Sequence, residues 1–128
     1  MKFLLDTHLL LWAAGDIRDL PARARQLIQN SANELIFSAA SLWEIAIKSS
    51  RPRPDFHANP RLLRRALFDN GYSELSVRSE HVVAVADLPP IHKDPFDRLL
   101  VAQATVEGVL LLTVDSIVAQ YPGPIQLM

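Results

Sequence analysis

The sequence contains no cysteine, and that one absence removes disulfide frameworks, zinc–thiolate sites and cysteine nucleophiles together. Any metal must therefore be held by oxygen or by imidazole. The formal net charge is −1, from 13 basic and 14 acidic side chains. A molecule that is positive all over is ruled out, so any surface for a polyanion has to be a local patch. No stretch approaches the ~18 apolar residues that a membrane span needs. The opening Met1-Lys2-Phe3-Leu4-Leu5 imitates the start of a signal peptide, but Asp6 and His8 break the apolar run before it reaches the length of one. A cytoplasmic location is the resulting expectation. There is no internal repeat and no low-complexity segment. What is there is 128 residues with 49% hydrophobic content, enough for one ordinary core but not for two. A single domain over residues 1–128 is expected.

Lys2 to Leu5 is a short apolar run that ends in Asp6-Thr7, and His8 to Ala14 continues apolar up to Gly15. This is the pattern of a buried strand whose C-terminal end carries a carboxylate and then turns into a helix. Residues 21 to 31 form a short amphipathic helix, and Leu35-Ile36-Phe37 is a second strand. Ser38 or Ser41 then caps a helix containing Leu42, Trp43, Ile45, Ala46 and Ile47, with Glu44 among them. After a proline-rich loop, Asn59 caps and Pro60 begins another helix, which Gly71 ends. Tyr72 to Val77 reads as a strand, and Ser79 caps a short helix through Ala86. Asp94 caps the next helix, Pro95 opens it and Gly108 stops it. Val109 to Val114 is an apolar run of β type ending at Asp115, and Ile125 to Leu127 forms a last edge strand. Alternating strands and helices predict an α/β fold with a mainly parallel sheet, whose ligands bind beyond the C-terminal strand ends.

Four acids stand at such places. Asp6 and Asp115 follow two apolar strands, Glu44 lies on an early helical turn, and Asp97 lies in the first turn after the Asp94 cap. Each has a purely structural explanation: Asp6 and Asp94 as caps, Ser41 with Glu44 and Asp94 with Asp97 as capping boxes or near relatives of one. Capping does not account for their convergence on one sheet edge. Converging carboxylates repel, and without cysteine or clustered histidine the simplest neutraliser is a hard divalent cation, Mg²⁺ or Mn²⁺. Such an ion polarises a phosphodiester and activates water.

The blocks FLLDTHLLLW, SAASLWEIAIK, HKDPFDRLLVAQA and LLTVDSIVAQY, in that order and spanning nearly the whole chain, resemble PIN-domain ribonucleases of the VapC type, the toxin half of bacterial toxin–antitoxin modules. The resemblance implies a three-layer α/β/α sandwich around a parallel sheet and RNA cleavage dependent on Mg²⁺ or Mn²⁺, leaving 5′-phosphate and 3′-hydroxyl ends. It also implies homodimerisation and inhibition by a cognate antitoxin. By position, Asp6, Glu44 and Asp97 match the three core acids and Asp115 the fourth, more variable one, with Asp6 and Asp97 as the principal metal ligands. Thr7 and Thr113 match hydroxyls near the metal, and Asp94 a frequent acid at the same helix start.

An acidic site repels a polyanion, so flanking positive charge is needed. Between residues 48 and 65 there are six basic side chains (Lys48, Arg51, Arg53, Arg61, Arg64 and Arg65) against one acid, Asp55. This patch is the expected RNA-guiding surface; a solvated helix face is the other reading. No chemistry is assigned to His8, His57 or His81, while His92 is read as a backbone-bonding residue at a helix start. Trp12 and Trp43 are read as core or dimer contacts. The alternatives are a haloacid-dehalogenase-like phosphatase, which needs an Asp where His8 stands, and a receiver-like or catalytically silent binding module.

Overall fold

The computed structural model describes residues 1–54 and 56–128. Five strands, β1 (Lys2–Leu5), β2 (Glu34–Ser38), β3 (Ser73–Leu75), β4 (Leu110–Thr113) and β5 (Ile125–Leu127), form one sheet in the order β3-β2-β1-β4-β5. Every pairing is parallel. Parallel strands require crossovers, supplied by α1 (Thr7–Ala14), α2 (Ala22–Gln29), α3 (Ala39–Ser49), α4 (Pro60–Asp69), α5 (Ser79–Ala84) and α6 (Pro95–Glu107).

The two-residue period of β1 divides the core. Phe3 and Leu5 join Leu9, Leu10, Leu63 and Leu67 of α1 and α4 on one side, whereas Leu4 joins Leu100, Val101 and Ala104 of α6 on the other. Both faces are covered, which is why the central strands are apolar throughout rather than alternating. The architecture is the expected three-layer α/β/α sandwich. Among the described residues, no helix is long and apolar enough to cross a membrane.

The helix boundaries follow local chemistry. Asp94 accepts hydrogen bonds from the Phe96 and Asp97 N–H groups, Pro95 occupies the first helical position, and Gly108 ends α6 at φ +67°. Asn59 caps α4 in the same manner. Of the two candidate caps for α3, Ser38 fills the role by accepting from the Ala40 N–H. Ser79 does not cap α5. The N-cap position is Arg78, whose N–H donates to Nδ1 of His81, because that buried imidazole supplies an acceptor three residues on. The third strand is also shorter than the Tyr72–Val77 run suggests, since it sits at the sheet edge and pairs with β2 alone.

Candidate active site

The centre of the sheet decides the site. With β1 between β2 and β4, the pairing of Leu5 with Leu112 sets the end of β1 beside the end of β4. Asp6 and Thr113 become neighbours across 107 positions of sequence: Thr113 Oγ1 donates to Asp6 Oδ2 at 2.7 Å, and the Val114 N–H donates to the same oxygen at 3.0 Å. Asp6 Oδ1 accepts from the Leu9 N–H at 2.9 Å, so the same carboxylate also caps α1. Burial nevertheless pushes the Asp6 carboxyl above its ordinary range, outweighing these donors.

Glu44 reaches the same place from α3. It is 3% exposed, and its two oxygens accept from Thr7 Oγ1 at 2.6 Å and from Lys48 Nζ at 2.7 Å. Because Ser38 caps α3, the expected pairing of Ser41 with Glu44 as a capping box does not form. Ser41 Oγ instead lies 3.1 Å from Thr7 Oγ1.

Asp97 is held against its own charge. Burial first, then the charges of Asp94 and Glu44, push its carboxyl up to about 7, with His92 opposing. It does not close a capping box either, since the Asp94 N–H is taken by His92 Nδ1 at 3.0 Å. That bond leaves the proton of the neutral ring on Nε2, which faces Asp115 Oδ2 at 3.1 Å and Asp97 Oδ2 at 3.5 Å. The His92 N–H is in turn held by the Tyr121 hydroxyl at 2.8 Å. For Asp115, burial raises the carboxyl, but the Ile117 N–H, His92 and the Val118 N–H more than reverse this, and it lies below the usual carboxylate range. Asp94 behaves likewise: desolvation is outweighed by Lys48 and two backbone N–H groups.

Asp6, Glu44, Asp94, Asp97 and Asp115 thus line one cavity of about 170 Å³, together with Thr7 and Lys48. Thr113 does not line it; its hydroxyl lies behind Asp6 and orients that carboxylate. The donor set suits a hard divalent ion: oxygen atoms dominate, and two carboxyls are held protonation-prone, Asp6 by burial and Asp97 by burial and the charges of neighbouring acids, which a cation would relieve. The Nε2 proton of His92 is directed at Asp97 and Asp115, so in this tautomer the imidazole meets these acids as a donor; His92, Asp97 and Asp115 also lie close enough together to hold an ion.

The roles of two residues in this pocket are not evident from the sequence. Lys48 falls within the basic patch by position, yet its side chain is only 14% exposed and also lies 3.1 Å from Asp94 Oδ2. Its place four residues after Glu44 is the available signal. His92 does bond the backbone as expected, but its other nitrogen bridges two of the acids. Of the patch, Arg51, Arg53, Arg61, Arg64 and Arg65 are exposed. The three on α4 share its outer face opposite buried Leu63 and Leu67; Arg64 lies over the Phe68 ring and Arg65 is 4.0 Å from Asp69. Asp55, the one acid of that segment, lies outside the described residues. A groove of about 580 Å³ between α1 and α4 meets the acidic cavity at His8, which lines both. Trp43 is not a core residue: it is 59% exposed and stands edge-on to Phe96.

The PIN domain family model matches residues 3–124. No curated protein matches the chain significantly by sequence. Solved structures with the same fold include VapBC2 from Rickettsia felis bound to a promoter DNA fragment, at 15% identity and TM-score 0.69, covering 100% of this chain and 99% of that one. DNA-bound VapBC from Salmonella typhimurium aligns at 18% identity and TM-score 0.67, over 98% of this chain and 97% of that one. VapBC-1 from nontypeable Haemophilus influenzae aligns at 14% identity and TM-score 0.62, over 99% and 98% respectively.

Proposed function

This chain belongs to the PIN domain family, and from that membership and the carboxylate pocket we propose that it is a Mg²⁺- or Mn²⁺-dependent endoribonuclease, the toxin of a VapC-type toxin–antitoxin pair. The observation that carries this reading is the convergence of Asp6, Glu44, Asp97 and Asp115 on one small cavity beyond the C-terminal ends of β1 and β4. Asp6 and Asp97 are the principal ligands, and Glu44 and Asp115 complete the acidic pocket. When bound, the divalent ion supplies Lewis-acid polarisation of the scissile phosphodiester and activates water for in-line attack. The chain's part is to hold its acids in place. Thr113 and the Val114 N–H orient Asp6, Thr7 orients Glu44, and His92, clamped by Tyr121 and the Asp94 N–H, orients Asp115 and Asp97.

The exposed arginines of the 51–65 segment draw the RNA backbone toward the pocket without selecting sequence, and the α1–α4 groove that shares His8 with the pocket offers a path. A single PIN-type domain acting as a cytoplasmic homodimer, held inactive by a cognate antitoxin, completes the reading. The VapBC assemblies that share this fold support the antitoxin. Family membership leaves the phosphatase and receiver alternatives without support.

The test is cleavage of RNA by purified protein in Mn²⁺. Products with 5′-phosphate and 3′-hydroxyl ends are expected, with activity abolished by EDTA and by Asp6→Asn. An Asp6→Asn protein cutting at the parent's rate sinks the assignment. A parent that binds RNA but never cuts it would instead identify a catalytically silent PIN module.

A further inference from the structure

Lysines are seldom hidden from solvent unless paired with acids. Lys48 projects from α3 into the acidic cavity, one turn after Glu44, and its ammonium lies 2.7 Å from Glu44 Oε2 and 3.1 Å from Asp94 Oδ2. Two aromatic rings hold it there from the apolar side, Phe56 at 5.6 Å and Phe96 at 5.9 Å from the ring centroids. The remaining oxygens of its two partners are also engaged. Glu44 Oε1 accepts from Thr7, and Asp94 Oδ1 accepts from the Phe96 and Asp97 N–H groups.

The other three acids differ in kind. Asp6 and Asp115 are met by uncharged donors only, which orient a carboxylate without neutralising it. Asp97 faces His92 Nε2 at 3.5 Å and otherwise the negative charge of its neighbours. The pocket is therefore asymmetric: one side carries its own cation, and the other has charge left to bind one. A divalent ion seated against Glu44 and Asp94 would have to displace an ammonium that two carboxylates and two rings keep in position, and would be repelled by it at every intermediate distance.

We propose that Lys48 is a built-in cation occupying the place of a second metal ion, so that the pocket binds one divalent ion, on its Asp6, Asp97 and Asp115 side. Lys48 is a positioning residue in this scheme, and the inference rests on the metal-dependent reading above. The experiment is a Mn²⁺ titration of the metal-free protein, followed by calorimetry for stoichiometry and by electron paramagnetic resonance for coupling between ions. The parent is expected to bind one Mn²⁺ per chain with an uncoupled signal, and Lys48→Arg to do the same. Lys48→Met is expected to bind two, with coupling between them, and Lys48→Gln serves the same purpose should Lys48→Met not fold by circular dichroism. A parent that binds two ions, or a folded charge-removing variant that still binds one, overturns the role of Lys48 and leaves the metal-dependent reading standing. A parent that binds none overturns that reading itself.

Discussion

Replacing Asp97 by asparagine should make the metal-free protein more stable while destroying its activity. The substitution keeps the shape of the side chain and removes a charge that the pocket opposes. Moving this carboxyl from its ordinary 3.8 to about 7 makes its ionisation at pH 8 unfavourable by about 4 kcal/mol, at roughly 1.4 kcal/mol per pKa unit. Partial solvent contact, water penetration and coupling to Asp94 and Glu44 reduce the usable part to about 2 kcal/mol. Against this stands the lost attraction between an acid in the first turn of α6 and the helix dipole, about 0.3–1 kcal/mol, so the gain wins. For a domain of this size the surplus corresponds to a rise in Tm of roughly 4–8 °C. The pH dependence separates this cause from others. Between about pH 4 and 7 the folded protein retains a proton that the unfolded chain has already released, so parental stability falls as pH rises through that window. The advantage of Asp97→Asn should accordingly be largest at pH 8 and vanish near pH 4. Thermal melts of both proteins in EDTA across that range supply the measurement. A variant that melts below the parent at pH 8 would refute the claim that Asp97 is held against its own charge, and would return it to an ordinary helix-start residue.

Mn²⁺ at 100 times its dissociation constant should stabilise the parent by about 2.7 kcal/mol through binding to the folded state alone; a melt indifferent to millimolar Mn²⁺ contradicts the metal site. The same addition should do little for Asp97→Asn, reversing the order of the two proteins in Tm. Combining Arg61→Ala, Arg64→Ala and Arg65→Ala should flatten the salt dependence of RNA binding by about 0.7 in log–log slope for each phosphate that is no longer neutralised, with Mn²⁺ affinity unaltered; an unchanged slope together with failure of the antitoxin to inhibit would assign these arginines to the antitoxin. Gly108→Ala places a Cβ where nothing lies within 4 Å but φ is +67°, so the expected loss in chemical denaturation is about 1–2 kcal/mol from backbone strain alone.

Much of this molecule is local, and local features are legible in the chain. Asp6, Asn59 and Asp94 cap the helices they precede, and Gly108 ends α6 in the left-handed conformation that its position predicts, because caps depend on atoms only a few residues away. The strands of the sheet centre are equally plain, being short apolar runs buried on both faces. Features that depend on which way a side chain is turned relative to the rest of the fold are misleading. The acceptor that starts α5 belongs to buried His81, so Ser79 resembles a cap without being one. Trp43 has the helical position of a core or dimer residue, yet at 59% exposed it is not a core residue, since amphipathic spacing does not say which face of α3 meets the sheet. Lys48 falls into the basic patch because counting charge along a chain groups neighbours in sequence, while one turn of α3 sets it beside Glu44 and opposite Asp94.

By itself, then, the sequence determined the strand and helix segments, the residues able to bear acid chemistry and the exclusion of any thiol ligand, since side-chain type, spacing and capping act over one or two turns. The tertiary structure alone decided that Thr113 and the Val114 N–H hold the Asp6 carboxylate, that His92 presents its protonated nitrogen to two acids, and that a lysine neutralises one side of the pocket and not the other. Those relations depend on β1 lying between β2 and β4. That order is a property of the whole sheet, set by how both faces of the strands are buried at once, and no segment of the chain encodes it separately.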